Sequence, residues 1–377
     1  MDGGLVGRRI LLISPQPWDH LFISKHHYAQ ELARDNRVWF LDPPEAEGPP
    51  GGVRVSAVPG EPNLWRVRHR LFFPRQLRFH WPWLYRRLIA RQARRIVRAL
   101  PEAPDLVWCF DFNLFPDLRA FGAPTTLYHP VDPLSLPSQV AIGRSADLIL
   151  SVSRTILAHF SGSEFQGRTL WVNHGLCREF AALARQDIDP ARPPGPPRVG
   201  YFGNLDRPML DLELWERAVT AHPGVAFHFW GAFDPAGPFA RRLAARPNVA
   251  CHGTAPKGHL VTEVAAMDLF LLLYRADHPE YDRSNAHKIL EYLATGKVIL
   301  SVPIDTYRDA PDLLEMLPEG GEAALPERLG AVLEALDHHN SPARMARRRA
   351  RALECTYEHH LRRIAQRLRP AAGFPHP

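Results

Sequence analysis

Short apolar runs, each closed by polar or Gly/Pro positions, recur along the whole chain. In the first half they read "RRILLISP", "RVWFLDPP", "DLVWCFD", "TTLYHPVD", "DLILSVS" and "TLWVNHG". Their apolar positions are continuous rather than alternating, which predicts strands buried on both faces. Residues 22–34 carry helical character between the first two runs. Strands alternating with helices imply right-handed βαβ units and a parallel sheet. The stretch "DIDPARPPGPP", residues 187–197, breaks the pattern, because its prolines remove amide donors and fix φ. The pattern then restarts with "RVGYFGN", "VAFHFWG", "NVACHGT", "DLFLLLY" and "VILSVP". Two parallel α/β domains joined by a Pro-rich hinge are expected, over 1–190 and 198–340. A basic helical segment, 341–370, is expected to pack back toward the first domain.

A length of 377 residues agrees with two domains. Hydrophobic residues make up 45% and charged residues 23%, which excludes a wholly disordered or collagen-like chain. The four cysteines lie far apart with no CxxC pair, so neither a zinc site nor a disulfide framework is expected. No signal-peptide pattern and no apolar stretch of bilayer-spanning length is present. The expectation is a cytoplasmic protein, or one lying on the inner face of the cell membrane.

The net charge of +6 suits an anionic partner, but its placement matters more. From Trp65 to Leu100 the chain carries eleven arginines and no carboxylate, with Phe72, Phe73, Phe79, Trp81, Trp83 and Tyr85 interleaved. Three readings remain open. A helix from about Leu84 to Leu100 could simply present a solvated arginine face. Trp81, Trp83, Arg86 and Arg87 could meet an anionic membrane or a lipid-phosphate substrate. Aromatics among arginines also suit a single-stranded nucleic acid, a partner that would leave the ligand cleft described next unexplained.

Open α/β sheets bind ligands beyond the carboxyl ends of their strands. In the first domain that rule selects Trp18, Asp19, Asp111, His129, Asp132 and His174. In the second it selects Gly203, Asn204, Arg207, Gly231, Arg275 and the segment "SNAHKILEYLATGKVILS". Two domains facing across a hinge would gather both sets around one cleft. The segment predicts a helix from about Asn285 to Thr295, capped by Ser284 or Asn285, whose free amides welcome phosphate. Lys288 and Glu291, three residues apart, share one side of it. Lys288 could reach a diphosphate and Glu291 could accept both ribose hydroxyls. A mutual surface ion pair is the plainer alternative.

The same segment resembles the donor-site signature of GT-B glycosyltransferases, especially the large retaining family 4. There a helix bearing a ribose-binding Glu runs into Ala-x-Gly and a strand. Glu291 matches that Glu, and Gly296 with "KVILS" matches the turn and strand. "YFGN" with Arg207 resembles the phosphate-binding strand and loop, and "TLYHPVD" resembles the strand whose His, here His129, lies by the transferred sugar. Arg283, with Asp282 beside it, stands where family 4 often has a sugar-binding Glu. "SPQPWDH" replaces the common Gly-rich loop. This divergent version looks like bacterial enzymes of surface-polysaccharide assembly.

The resemblance implies two Rossmann-like domains facing across a cleft, in a GT-B α/β fold. It further implies retaining, metal-independent transfer from a UDP- or GDP-type nucleotide-sugar to a glycan or lipid-linked acceptor, with no cofactor and no nucleic-acid partner. The donor would meet Gly203, Asn204, Arg207, Arg275, Ser284, Asn285, Lys288 and Glu291. His129 would orient the sugar, and Trp18 would lie on the acceptor side. If the reaction instead inverts, His129, Asp19 or Asp132 are candidates for the base. A nucleotide-sugar 2-epimerase of the same fold and a non-catalytic nucleotide-sugar binder are the alternatives.

Overall fold

The structure, a computed structural model, describes residues 5–20, 22–131, 136–188, 194–275, 277–278 and 287–368. Its backbone divides into two compact units, Met1–Asn173 with Tyr357–Pro377, and His174–Thr356.

The first unit runs β1 (Arg9–Ile13), α1 (Ser24–Leu32), β2 (Arg37–Leu41), β3 (Val53–Val58), β4 (Glu61–His69), α2 (Leu77–His80) and α3 (Pro82–Ala99). β5 (Leu106–Cys109), β6 (Thr125–Tyr128), α4 (Leu136–Arg144), β7 (Leu148–Ser151), α5 (Arg154–Ala158) and β8 (Thr169–Trp171) follow. The strand order is β3-β4-β2-β1-β5-β6-β7-β8, parallel except for the β3–β4 hairpin. Ile10–Ile13 and Leu106–Cys109 are buried throughout, because central parallel strands are covered on both faces. The hairpin was not foreseen. Arg66 and Arg68 lie on β4, where Val67 between them is buried, so the arginine-rich stretch is a strand, a loop and two helices rather than one face.

The second unit begins with α6 (Arg178–Arg185), β9 (Arg198–Phe202), α7 (Leu212–Ala221), β10 (Ala226–Trp230), β11 (Val249–Cys251) and α8 (Lys257–Ala265). It continues through β12 (Leu269–Leu272), α9 (Lys288–Thr295), β13 (Val298–Ser301), β14 (Glu315–Met316), α10 (Leu325–Glu334), α11 (Leu336–His339) and α12 (Pro342–Leu353). Its sheet is parallel, in the order β11-β10-β9-β12-β13-β14. The chain works outward from β9 to β11, then returns to place β12 on the other side of β9. That reversal puts the switch point, where such sheets bind ligands, between the ends of β9 and β12.

Helix α6 belongs to this second core through Phe180, Ala181, Leu183 and Ala184. The C-terminal segment divides: α12 stays with the second unit, and α13 (Tyr357–Leu368) joins the first through Tyr357 and Ile364. The described parts of 187–197 carry no helix or strand. Helix α9 starts at Lys288, with His287 as its N-cap and no side-chain cap, three residues later than the sequence suggests. Its end follows expectation: Gly296 closes it with φ 83°, a left-handed conformation that glycine adopts without Cβ strain. The fully buried Arg348 donates to the Gly296 carbonyl at 3.0 Å and the His339 carbonyl at 2.8 Å, tying α12 to the α9–β13 turn.

Candidate functional site

Glycines end β9 and β10. Gly203 follows β9 at φ 147° and Gly231 follows β10 at φ 150°. The Gly203 amide donates to the Trp230 carbonyl at 2.8 Å, and the Gly231 amide to the Gly253 carbonyl at 2.7 Å. A Cβ on Gly231 would overlap the Gly203 carbonyl oxygen, and one on Gly203 would overlap the end of the Lys288 side chain. The backbone is therefore pressed together where a ligand must approach the sheet.

Lys288 is the first residue of α9. Its Nζ donates to the Tyr274 hydroxyl at 2.8 Å and the Tyr201 hydroxyl at 3.1 Å, beside both rings. Burial works against the ammonium, but the two phenol oxygens outweigh it and hold its pKa above the usual value. Burial also raises the Tyr201 phenol, so that ring stays neutral at physiological pH. Among the described residues no carboxylate touches Lys288. The positive end of the helix dipole disfavours a cation here as well. Among the described residues Lys288 is thus a charge held in place without an anion.

One turn on, Glu291 is buried, and its Oε1 accepts from Nζ of Lys257 in the first turn of α8. Burial opposes the charge of Lys257, yet the Glu291 carboxylate raises its pKa. Burial, followed by the same carboxylate, pushes the Cys177 thiol up to about 12. Glu291 Oε2 has no hydrogen bond among the described residues. Lys288 and Glu291 therefore do not pair with each other. The plain surface ion pair is replaced by two separate interactions.

Around this pair the charge is positive. The His287 ring lies 5.8 Å from that of His174. Dense surroundings first, and then the charges of Lys288, His174, Lys257 and Arg207, push the His287 pKa well down. Arg207 is exposed and makes no side-chain hydrogen bond or ion pair among the described residues. Asn204 accepts from the Asp206 amide at 3.0 Å, which shapes the loop after β9. Arg275 is exposed and paired with Asp277 at 2.9 Å, so a ligand would have to compete for it. The cluster that forms is Gly203, Lys288, Glu291 and Arg207, joined by Lys257, Tyr201, Tyr274 and His287, which the sequence reading did not single out. Lys257 had a signal: "HGTAPKG" is also a strand end running into a helix. Tyr201 and Tyr274 looked like core positions, and nothing in their spacing showed that both hydroxyls meet one lysine.

In the first unit, His129 is fully buried against the rings of Phe110 (4.6 Å), Tyr28 (5.6 Å) and Trp108 (6.1 Å). Asp19 neither caps α1, whose N-cap is Ile23, nor stands free: it pairs with Arg66 at 2.5 Å. Arg66 also holds Asp42, and Asp42 accepts the Trp18 amide at 2.9 Å, so the loop after β1 is pinned. The Trp18 ring packs on Phe40 and Phe22 at 5.0 and 5.1 Å. Asp111 accepts from the amides of Asn113 and Leu114 and pins its loop, and burial raises its pKa. Trp81, Trp83, Arg86 and Arg87 are exposed at the start of α3. Asp132, Asp282, Arg283, Ser284 and Asn285 lie outside the described residues.

Comparison with known proteins places this geometry in a fold. The chain is similar to the UDP-forming α,α-trehalose-phosphate synthase of Burkholderia xenovorans in complex with glucose-6-phosphate, at TM-score 0.66 and 13% identity over 95% of this chain and 99% of that one. It is similar to sucrose-phosphate synthase from Thermosynechococcus elongatus, at TM-score 0.61 and 14% identity over 95% and 98%. A third likeness is trehalose-6-phosphate from E. coli bound with UDP-2-fluoro glucose, at TM-score 0.61 and 13% identity over 94% and 97%. The architecture is GT-B, with two Rossmann-like parallel α/β domains. No family model and no curated protein matches the chain.

Proposed function

We propose that the protein is a glycosyltransferase that moves a sugar from a nucleoside-diphosphate sugar to an acceptor hydroxyl. The observation that carries this reading is Lys288: a cation fixed by two tyrosine hydroxyls at the sheet's switch point, one helical turn from the carboxylate of Glu291. A diphosphate supplies the missing charge, and ribose hydroxyls suit the open Oε2 of Glu291. The UDP-forming name of one neighbour and the UDP-sugar bound to another support uridine as the base.

In the reaction the bond from the anomeric carbon to the β-phosphate oxygen breaks, and the acceptor oxygen takes its place. The leaving diphosphate gains negative charge, which Lys288, Arg207 and the first amides of α9 stabilise. We favour retention, with the departing phosphate taking the acceptor's proton. The enclosure of the fully buried His129 by aromatic rings supports this, because its ring is not presented to an external hydroxyl as a base.

The Glu291-to-Gly296 pattern favours a family 4 enzyme of surface-polysaccharide or glycolipid assembly, with a glycan or lipid-linked acceptor. The glucose-6-phosphate complex of the Burkholderia enzyme supports a second reading, in which the acceptor is a soluble sugar phosphate. Among the described residues no helix is long and apolar enough to cross a membrane.

A thermal-shift panel of UDP, GDP, ADP and dTDP tests the donor site, since a bound ligand stabilises the fold by mass action. UDP is expected to raise the melting temperature most, and labelled UDP-sugar to release free sugar slowly without an acceptor. Formation of an epimer would make the protein an epimerase, and binding without turnover a non-catalytic nucleotide-sugar binder. Failure of every nucleoside diphosphate to stabilise it would overturn the reading.

A further inference from the structure

The arginine-rich stretch is not used by the donor site, and the structure sharpens what it presents. Helix α3 buries Tyr85, Ile89, Gln92, Ala93 and Ile96 along one stripe. At 100° per residue the opposite face carries Trp83, Arg87, Arg91, Arg94 and Arg98. All five are exposed, and none of the four arginines forms an ion pair or hydrogen bond among the described residues. Other arginines of the stretch are taken: Arg66 by Asp19 and Asp42, Arg75 and Arg78 by Asn113, and Arg95 by the ring of Phe72. Exposed large apolar side chains gather at the start of this helix: Phe79 on α2 at 69%, Trp81 before α3 at 54%, and Trp83 on the face itself at 61% exposure.

We propose that this face of α3 docks the protein on an anionic lipid bilayer, with Phe79, Trp81 and Trp83 entering the interfacial layer and the arginine row resting on the headgroups. Two physical features select this occupant. Aromatic rings favour the interface, and among the described residues the exposed Trp81 and Trp83 rings have no aromatic or cation partner, while Phe79 has only the Arg78 guanidinium, 4.4 Å from its ring. Guanidinium groups without carboxylate partners are attracted by a surface of like anions, and α3 is about 27 Å long, enough to lie along many headgroups. A single-stranded nucleic acid would instead be served by rings spread between the arginines, because each base needs its own platform. Here the rings sit together at the helix start and the arginines run on without them. The proposal is independent of the donor site and is tested without turnover.

The test is co-sedimentation of the full chain with vesicles of phosphatidylglycerol mixed with phosphatidylcholine, against vesicles of phosphatidylcholine alone. Adsorption is expected only to the anionic vesicles and should fade as salt is raised. Removal of Arg91, Arg94 and Arg98 together (each to Ala) should lower the partition coefficient by about two orders of magnitude, at roughly fivefold per arginine. Trp83→Ser should weaken adsorption while leaving its salt dependence in place. All four side chains are exposed, and an unchanged circular dichroism spectrum and melting temperature confirm folding. Equal binding to neutral vesicles, or adsorption unaffected by the triple variant, overturns the proposal. Tighter retention on a single-stranded oligonucleotide than on anionic vesicles overturns it in favour of nucleic acid.

Discussion

Replacing Lys288 with Met separates a binding role from a structural one. Met keeps most of the volume and removes the charge. In the free protein the ammonium has two hydroxyl acceptors, at 2.8 and 3.1 Å, and burial opposes it. Tyr201 and Tyr274 also bond to each other, so neither phenol is orphaned by the change. Substituting a buried charge by an apolar group of similar size is commonly neutral or stabilising, and a change within about 1 kcal/mol is expected. For a bound diphosphate the loss is a charge-assisted hydrogen bond, worth about 1.5–3 kcal/mol, or roughly 10- to 100-fold in Kd. Urea unfolding of the free protein and calorimetric titration with UDP measure the two quantities separately. Lys288→Arg should not restore binding, because a planar guanidinium does not reproduce the ammonium's bonds to the Tyr274 and Tyr201 hydroxyls at 2.8 and 3.1 Å. Unchanged UDP affinity in a folded Lys288→Met protein would refute the assignment. So would a loss of more than about 2 kcal/mol of stability, which would make the lysine a structural tie.

Glu291→Gln should weaken UDP binding by about 1–3 kcal/mol, and the effect should vanish with 2′,3′-dideoxy-UDP, which lacks the hydroxyls that the carboxylate would hold. Equal losses for both nucleotides in calorimetry would assign Glu291 only to Lys257. Gly231→Ala should fail to yield folded protein, since its Cβ meets the Gly203 carbonyl at a φ of 150°, whereas Gly203→Ala carries only the strain of its φ of 147° and meets flexible side-chain ends, so it should fold with lowered stability and weakened UDP binding; expression and thermal melts distinguish the two. Burial lowers the pKa of His69 to about 4, so its folded value lies below the unfolded value near 6.5. Its stabilising contribution is complete above about pH 6.5 and is lost as pH falls toward 4, by at most about 3 kcal/mol. Urea melts across that range should show the decline, and His69→Leu should flatten it.

The strand runs were legible because they are continuous and apolar, and burial on both faces of a parallel sheet demands that composition. The hairpin of β3 and β4 was not, because Arg66 and Arg68 interrupt the apolar run on β4, which lies between β3 and β2, and make it look like a basic segment. The start of α9 was misplaced for a similar reason. Ser284 and Asn285 have the right chemistry for a cap, but the helix begins at Lys288 behind His287. The division of the chain follows which core each helix fills: α6 and α12 pack on the second sheet, and neither composition nor prolines reveal that.

The alternation of strands and helices, the mainly parallel sheets, the glycine turn at Gly296 and the placing of Lys288 and Glu291 on one helix were readable from residue types and spacing. Those features depend on local backbone geometry and on how much apolar surface each segment must hide. The partners of these side chains could not be read in this way. That Lys288 meets Tyr201 and Tyr274, that Glu291 meets Lys257, and that His129 is walled in by aromatic rings depend on contacts between residues from 14 to 101 positions apart. Only the closing of each sheet brings such positions within hydrogen-bond or ring-contact distance, so tertiary structure decides which charges are compensated and which still need a ligand.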